Sequence, residues 1–165
     1  MITAPLPRIE VVIVGEKSTL TVQWRDGGSD HVDLAGWIAT GGADFQRLGR
    51  REDFITATVG SFGLAVEWCG DEELAIDSYH LQQLAEQQRG LSGRDLAAWQ
   101  ERMQVSNQEA ADILDIALST WHSYKASPQV PRPVQIVCRA LEQDKVMFEA
   151  YYVPRRAGRP RQEQA

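Results

Sequence analysis

The hydrophobic period of this chain changes near residue 78, from two to about 3.6, and no single sheet or helical bundle accommodates both. Before the change, Thr19-Leu20-Thr21-Val22-Gln23-Trp24 alternates, placing Leu20, Val22 and Trp24 on one face of a strand. Ile9-Glu10-Val11-Val12-Ile13-Val14 is short, apolar and β-branched. Asp26-Gly27-Gly28 supplies residues that tolerate positive φ in a hairpin turn, and residues 29–34 read as the return strand. Residues 34–40 predict one or two helical turns closed by Gly41-Gly42, and Phe45, Leu48 and Phe54 read as core plugs around a short charged helix. Residues 55–59 and 64–68 are further strand candidates joined by a turn at 60–63. The first half thus predicts an α+β module: an antiparallel sheet with one or two short helices.

After the change, apolar residues recur at helical spacing. Leu81, Leu84 and Ala85 share one face of a helix over 78–89 that stops at Gly90, a natural residue past a helix end. Ser92-Gly93-Arg94-Asp95 is an N-cap sequence for a helix carrying Leu96, Trp99 and Met103. Ser106-Asn107-Gln108-Glu109 is a full capping box, followed by the short stripe Ala110, Ile113 and Leu114. Asp115-Ile116-Ala117 interrupts that helix, and 118–125 resumes with Trp121 and Tyr124 inward. Pro128, Pro131 and Pro133 mark an extended loop. Val134, Val137 and Leu141 begin another helix, and Leu141, Phe148 and Tyr152 carry a last one up to Pro154. The division expected is an α+β module over 1–80, an all-α domain over 81–153 and a basic tail over 154–165, with the 78–89 helix as the connector.

Net charge follows the same division. Of the formal −6, residues 1–80 contribute −7 from 6 Lys+Arg against 13 Asp+Glu, and residues 81–165 contribute +1 from 11 against 10. That excludes nonspecific coating of nucleic acid but allows a local site, since screening confines each field to about 8–10 Å at cell salt. Cys69 and Cys138 form no CxxC pair, which excludes a disulfide scaffold or a cysteine-rich zinc module and fits a cytoplasmic location. No apolar run reaches the roughly 18–20 residues of a membrane-spanning helix, and no signal-peptide layout is expected at the N-terminus. His31, His80 and His122 lack metal spacing, and no phosphate-cradling, dinucleotide or nucleophile-elbow motif occurs. No enzyme activity, cofactor or metal is therefore expected. Cys69 reads as a buried strand residue, and Asp71, Glu72, Glu73 and Asp77 as a solvated turn.

Two short helices separated by a tight turn are what a helix-turn-helix needs: the first braces the backbone, and the second presents a face to the major groove. Ala111 supplies the small residue where the helices cross, and Ile116 and Trp121 are apolar anchors. On the Ser106-Asn107-Gln108-Glu109 start, Ala111, Ile113-Leu114, Ile116, Ser119-Thr120, Trp121 and Tyr124, the chain over 92–143 resembles the lambda repressor-like (Xre-type) helix-turn-helix family. Three positions depart from the family pattern: Asp115 replaces the turn glycine, Ala117 the Ser/Thr cap, and Lys125 an acidic residue. The resemblance implies that Leu118, Ser119, His122 and Ser123 face base edges, while Asn107, Thr120, Lys125 and Arg132 contact phosphates. It further implies double-stranded DNA as partner and a homodimer as the binding form.

In the tail, Gly158-Arg159-Pro160-Arg161 resembles the core of an AT-hook, with Ala157 where an arginine is usual. This implies a basic arm of Arg155, Arg156, Arg159 and Arg161 directed at a narrow minor groove. Residues 19–81 resemble a small bacterial family of unknown function found beside toxin–antitoxin genes and fused to helix-turn-helix domains. The matching residues are Leu20-Thr21-Val22, Asp26-Gly27, Val32-Asp33-Leu34, Phe45, Leu48, Phe54, Val59, Gly63, Val66-Glu67-Trp68 and Leu74-Ala75-Ile76-Asp77. That resemblance implies a compact α+β fold without a chemistry. The expectation is a bacterial DNA-binding regulator. The alternative is an antitoxin-type interaction module whose acidic N-terminal half binds a partner protein, a toxin.

Overall fold

The computed structural model describes residues 5–155 and shows an α+β chain of two compact units, divided between Arg89 and Gly90. In the first unit β1 (Ile9–Val14), β2 (Thr19–Trp24) and β3 (Ser29–Asp33) pair antiparallel. Opposing Ile9 to Trp24, and Leu20 to Val32, puts the alternating residues of β2 inside: Leu20 and Val22 are fully buried and Trp24 nearly so. Gly27 and Gly28 both take positive φ in the β2–β3 turn. Three short helices follow, α1 (Ala35–Thr40), α2 (Ala43–Gln46) and α3 (Arg51–Phe54), with a single 3₁₀ turn, Arg47–Gly49, between the last two. They deliver Ile38, Leu48 and Phe54 to the core.

The remaining strands make a second three-stranded antiparallel sheet rather than extending the first: β4 (Thr58–Val59), β5 (Ala65–Trp68) and β6 (Asp71–Asp77). Gly63 lies at φ +73, where an added Cβ would collide with the Ile9 carbonyl oxygen, so only glycine lets this loop close onto β1. The acidic stretch expected as a solvated turn is therefore strand β6. Leu74 and Ile76 alternate inward while Asp71, Glu72 and Glu73 face out, and pairing with β5 satisfies the backbone. Cys69 is also corrected. It is exposed in the β5–β6 turn, where it and Gly70 take φ +58 and +67, as a twisted two-residue hairpin turn requires.

Helix α4 (Ser78–Gln88) is capped by Asp77, which accepts from the His80 N–H at 2.9 Å. It belongs to the first unit, so the boundary lies nine residues beyond that expected after residue 80. Leu81 and Ala85 are buried in the same core as Leu20 and Trp68. At its end, the Gln88 amide exchanges two 2.8 Å bonds with the backbone of Asp33, and Arg89 pairs with Asp30 at 2.7 Å. The helix is thus stitched to β3.

The second unit is all helical among the described residues: α5 (Gly93–Met103), α6 (Asn107–Ile113), α7 (Leu118–Lys125), α8 (Arg132–Gln143) and α9 (Lys145–Tyr151). Capping boxes start α5, from Ser92 and Asp95, and α6, from Ser106 and Glu109. Leu96, Trp99, Ala110, Ala111, Trp121, Cys138 and Leu141 form its core. Trp99 donates to the Cys138 carbonyl at 2.8 Å. Gly93 donates to the Ser127 carbonyl at 2.8 Å, and an added Cβ there would strike the Lys125 carbonyl, so α5 meets the end of α7 backbone to backbone. On α8 Gln135, Cys138 and Leu141 are buried, and the half-buried Val134 packs against the same core. Val137, expected inward, lies one position off that stripe and is exposed beside Ile136. No helix among the described residues is long and apolar enough to cross a membrane.

Candidate nucleic-acid interface

The α6–α7 pair is built from a cap, a turn and an anchor. Ser106 Oγ accepts the Glu109 N–H at 3.2 Å, and Glu109 Oε2 accepts the Ser106 N–H at 2.8 Å, satisfying two orphan donors at the start of α6. Ala110 and Ala111 are fully buried. The Ala111 carbonyl then receives the Ile116 N–H at 3.0 Å across the turn. Asp115 takes the left-handed conformation at φ +51 that the family pattern assigns to glycine. Ala117 heads α7 without a side-chain cap bond, and no acidic residue lies in the first turn of that helix.

Trp121 is the buried residue of α7. Its ring meets Trp99 edge-on at 6.2 Å, and its indole N–H donates to Asn107 Oδ1 at 3.1 Å. Lys125, one turn on, donates from Nζ to the same Asn107 oxygen at 2.6 Å and to Gln100 Oε1 at 3.0 Å, with the ammonium 5.8 Å from the Trp121 ring centroid. One amide oxygen at the start of α6 therefore receives two donors from α7, and α5 holds the cation from the other side. This network ties α5, α6 and α7 together and fixes the angle between α6 and α7. The sequence assigned Asn107 and Lys125 to phosphates; in the structure they also bond each other, through the Asn107 oxygen alone.

The opposite side of α7 is open. Leu118, Ser119, His122 and Ser123 are all exposed, and at 100° per residue they span an arc of about 140°. Thr120 is half-buried beside them. Arg132 is exposed at the first position of α8, after Pro131 and with no acidic residue in that helix's first turn. Arg155 is not free to reach outward. Its guanidinium bonds Asp112 at 2.7 and 3.2 Å, and its N–H donates to Glu109 Oε1 at 2.9 Å. The Ser106 and Arg155 N–H groups, in that order of weight, hold the Glu109 carboxyl down at about 2. Asp112 is lowered mainly by Arg155. Arg156, Arg159 and Arg161 lie outside the described residues. No group of His, Cys, Asp and Glu suited to a metal ion occurs among the described residues.

The polar network around Asn107 and the clamp on Arg155 were not anticipated. Only the Ser106–Glu109 box had a local signal; the other partners are 14 to 46 residues apart.

No protein-family model matches the sequence, and no curated protein matches it. A solved structure from Nitrosomonas europaea ATCC 19718, named as a putative DNA binding protein, is similar to this chain at 22% identity, with a TM-score of 0.44, covering 96% of each chain. At that distance, function rests on this chain's own geometry.

Proposed function

We propose that this chain is a DNA-binding transcriptional regulator of the lambda repressor-like type, with α7 reading the major groove and α6 bracing it across the backbone. The observation that supports this most is the division of α7: Trp121 anchors one side, and Leu118, Ser119, His122 and Ser123 stand exposed on the other. Serine hydroxyls donate to or accept from several base edges, and the Leu118 methyls suit a thymine methyl. Thr120 and Arg132 serve phosphates as they stand. Asn107 and Lys125 brace the pair through the Asn107 oxygen, and these bonds still leave amide N–H groups of Asn107 and a third ammonium N–H of Lys125 to donate to phosphates. The active form is a cytoplasmic homodimer, binding without cofactor or catalysis. Exposed Ile136, Val137 and Val146 on α8 and α9 support self-association.

The test is a titration of the wild type and the Ser119→Ala/Ser123→Ala variant against selected and scrambled duplexes at fixed salt. The variant should keep its fold and lose about 1–3 kcal/mol per base contact on the selected duplex, with nonspecific binding unchanged. Equal wild-type affinity for both duplexes would refute sequence reading. It would favour the interaction-module reading, in which the acidic N-terminal unit engages a basic partner protein.

A further inference from the structure

Gly93 brings the start of α5 onto the end of α7. Its N–H donates to the Ser127 carbonyl, and the Lys125 and Tyr124 carbonyls stand where a Cβ would be, so a side chain at 93 would push the helices apart. The junction leaves an open pocket of about 320 Å³, lined by Ser92, Arg94, Lys125, Ala126, Ser127 and Pro128. Two of these residues are cationic and none is acidic, in a chain whose formal charge is −6. Asp95, the acid next in sequence, lines the groove between α5 and α8 instead, and its carboxylate accepts both the N–H and the hydroxyl of Ser92 at 2.7 Å. Arg94 is exposed, and among the described residues no hydrogen bond or ion pair engages its guanidinium. Lys125 gives two N–H groups to Gln100 and Asn107 and keeps a third. The two serines are occupied: the Ser92 hydroxyl donates to Asp95, and that of Ser127 to the Gln129 carbonyl.

The pocket also continues the open face of α7. At 100° per residue, Ala126 falls about 20° from Ser119, between His122 and Ser123 on the exposed arc. It stands seven residues beyond Ser119, about 10 Å further along the axis. A recognition helix sets its first residues on base edges, in a groove about 12 Å wide. Its far end therefore comes to the sugar–phosphate edge of that groove. We infer that the pocket between α5 and the end of α7 seats a backbone phosphate of the duplex that α7 reads, with Arg94 as the principal donor. This rests on the DNA-binding reading above. Arg94 meets the phosphate without giving up an internal bond, and its planar fork suits two phosphate oxygens at once. The contact reads no base; it sets affinity and holds the end of α7 in register.

The experiment measures anisotropy titrations of the full-length protein on the selected and scrambled duplexes across a salt series, with thermal melts as the fold control. Arg94→Gln should melt with the wild type, since no internal bond is lost. It should bind both duplexes about 8-fold more weakly near 0.1 M salt, and its plot of log affinity against log salt should be shallower by about 0.9, the amount of one phosphate contact. Arg94→Lys keeps the charge and should restore the slope. Lys145→Gln makes the same charge change on α9, at a side chain 87% exposed, and should alter the slope much less. An unchanged slope in Arg94→Gln, or an equal change in Lys145→Gln, would overturn the inference while leaving DNA binding intact. Amide shifts of residues 92–94 and 126–128 that follow inorganic phosphate, with the DNA slope of Arg94→Gln unchanged, would assign the pocket to a free anion and overturn it as well. A wild type that binds neither duplex would overturn both readings.

Discussion

Replacing Trp121 with alanine tests the architecture of the second unit most severely. The side chain is fully buried, so the substitution removes an entire indole from a close-packed site, at a cost of about 3–5 kcal/mol. The edge-on contact with Trp99 and the ammonium of Lys125 over the ring place the expected loss at the upper end of that range. A unit of about 75 residues is worth roughly 4–11 kcal/mol in total, so the variant forfeits about half its stability or more. Trp121→Phe keeps most of the apolar volume and loses the indole N–H to Asn107, so about 1–2 kcal/mol is expected. Five tryptophans make fluorescence ambiguous. The assay is native-state amide exchange across a urea series, read separately for β1–β3 and for α5–α8. Protection in α5–α8 should collapse at low urea in Trp121→Ala while β1–β3 keep theirs. A loss under about 1 kcal/mol would refute the anchoring role. Simultaneous loss of protection in both units would refute the division at residue 89.

The two cysteines should separate cleanly. Cys69 is exposed and should react with a thiol reagent in the native protein, whereas Cys138 is buried with its thiol pushed up to about 12, and should react only in denaturant. Two fast thiols under native conditions would contradict the packing of α8. Acid should weaken the second unit through Glu109. Its folded-state value near 2 lies below that of an unfolded glutamate, so its stabilisation is complete above about 4.3 and is lost as pH falls toward 2. Urea midpoints between pH 6 and 2.5 should show this loss in the wild type and a shallower one in Glu109→Gln; equal slopes would remove Glu109 from the account.

How far the sequence reached depends on how local each interaction is. The β2–β3 hairpin was legible because alternation and Gly27-Gly28 act within a dozen residues. Strand β6 was not. Its exposed acids resemble a solvated turn until β5 is placed beside it, and only then does the alternation of Leu74 and Ile76 become decisive. Cys69 shows the same limit: a non-glycine residue at φ +58 carries no sequence signal, because the hairpin around it supplies the strain. The end of the first unit was misplaced for a related reason. The contacts that bind α4 to β3, Gln88 to Asp33 and Arg89 to Asp30, join residues 55 and 59 positions apart.

In the candidate site, the exposed face of α7 follows from helical spacing alone, but the fate of each charge does not. Lys125 and Arg155 look equally available for phosphates in the sequence. In the structure one is bonded to Asn107 and Gln100, the other to Glu109 and Asp112. In the proposed regulator, a helix face of two serines, a histidine and a leucine discriminates bases but carries little charge. Phosphate affinity in that proposal draws on Arg132, exposed at the start of α8, through counterion release. Glu109 carries the same lesson: one oxygen caps α6 and the other accepts the Arg155 N–H, so a residue that reads as a local cap also fixes the chain 46 positions on.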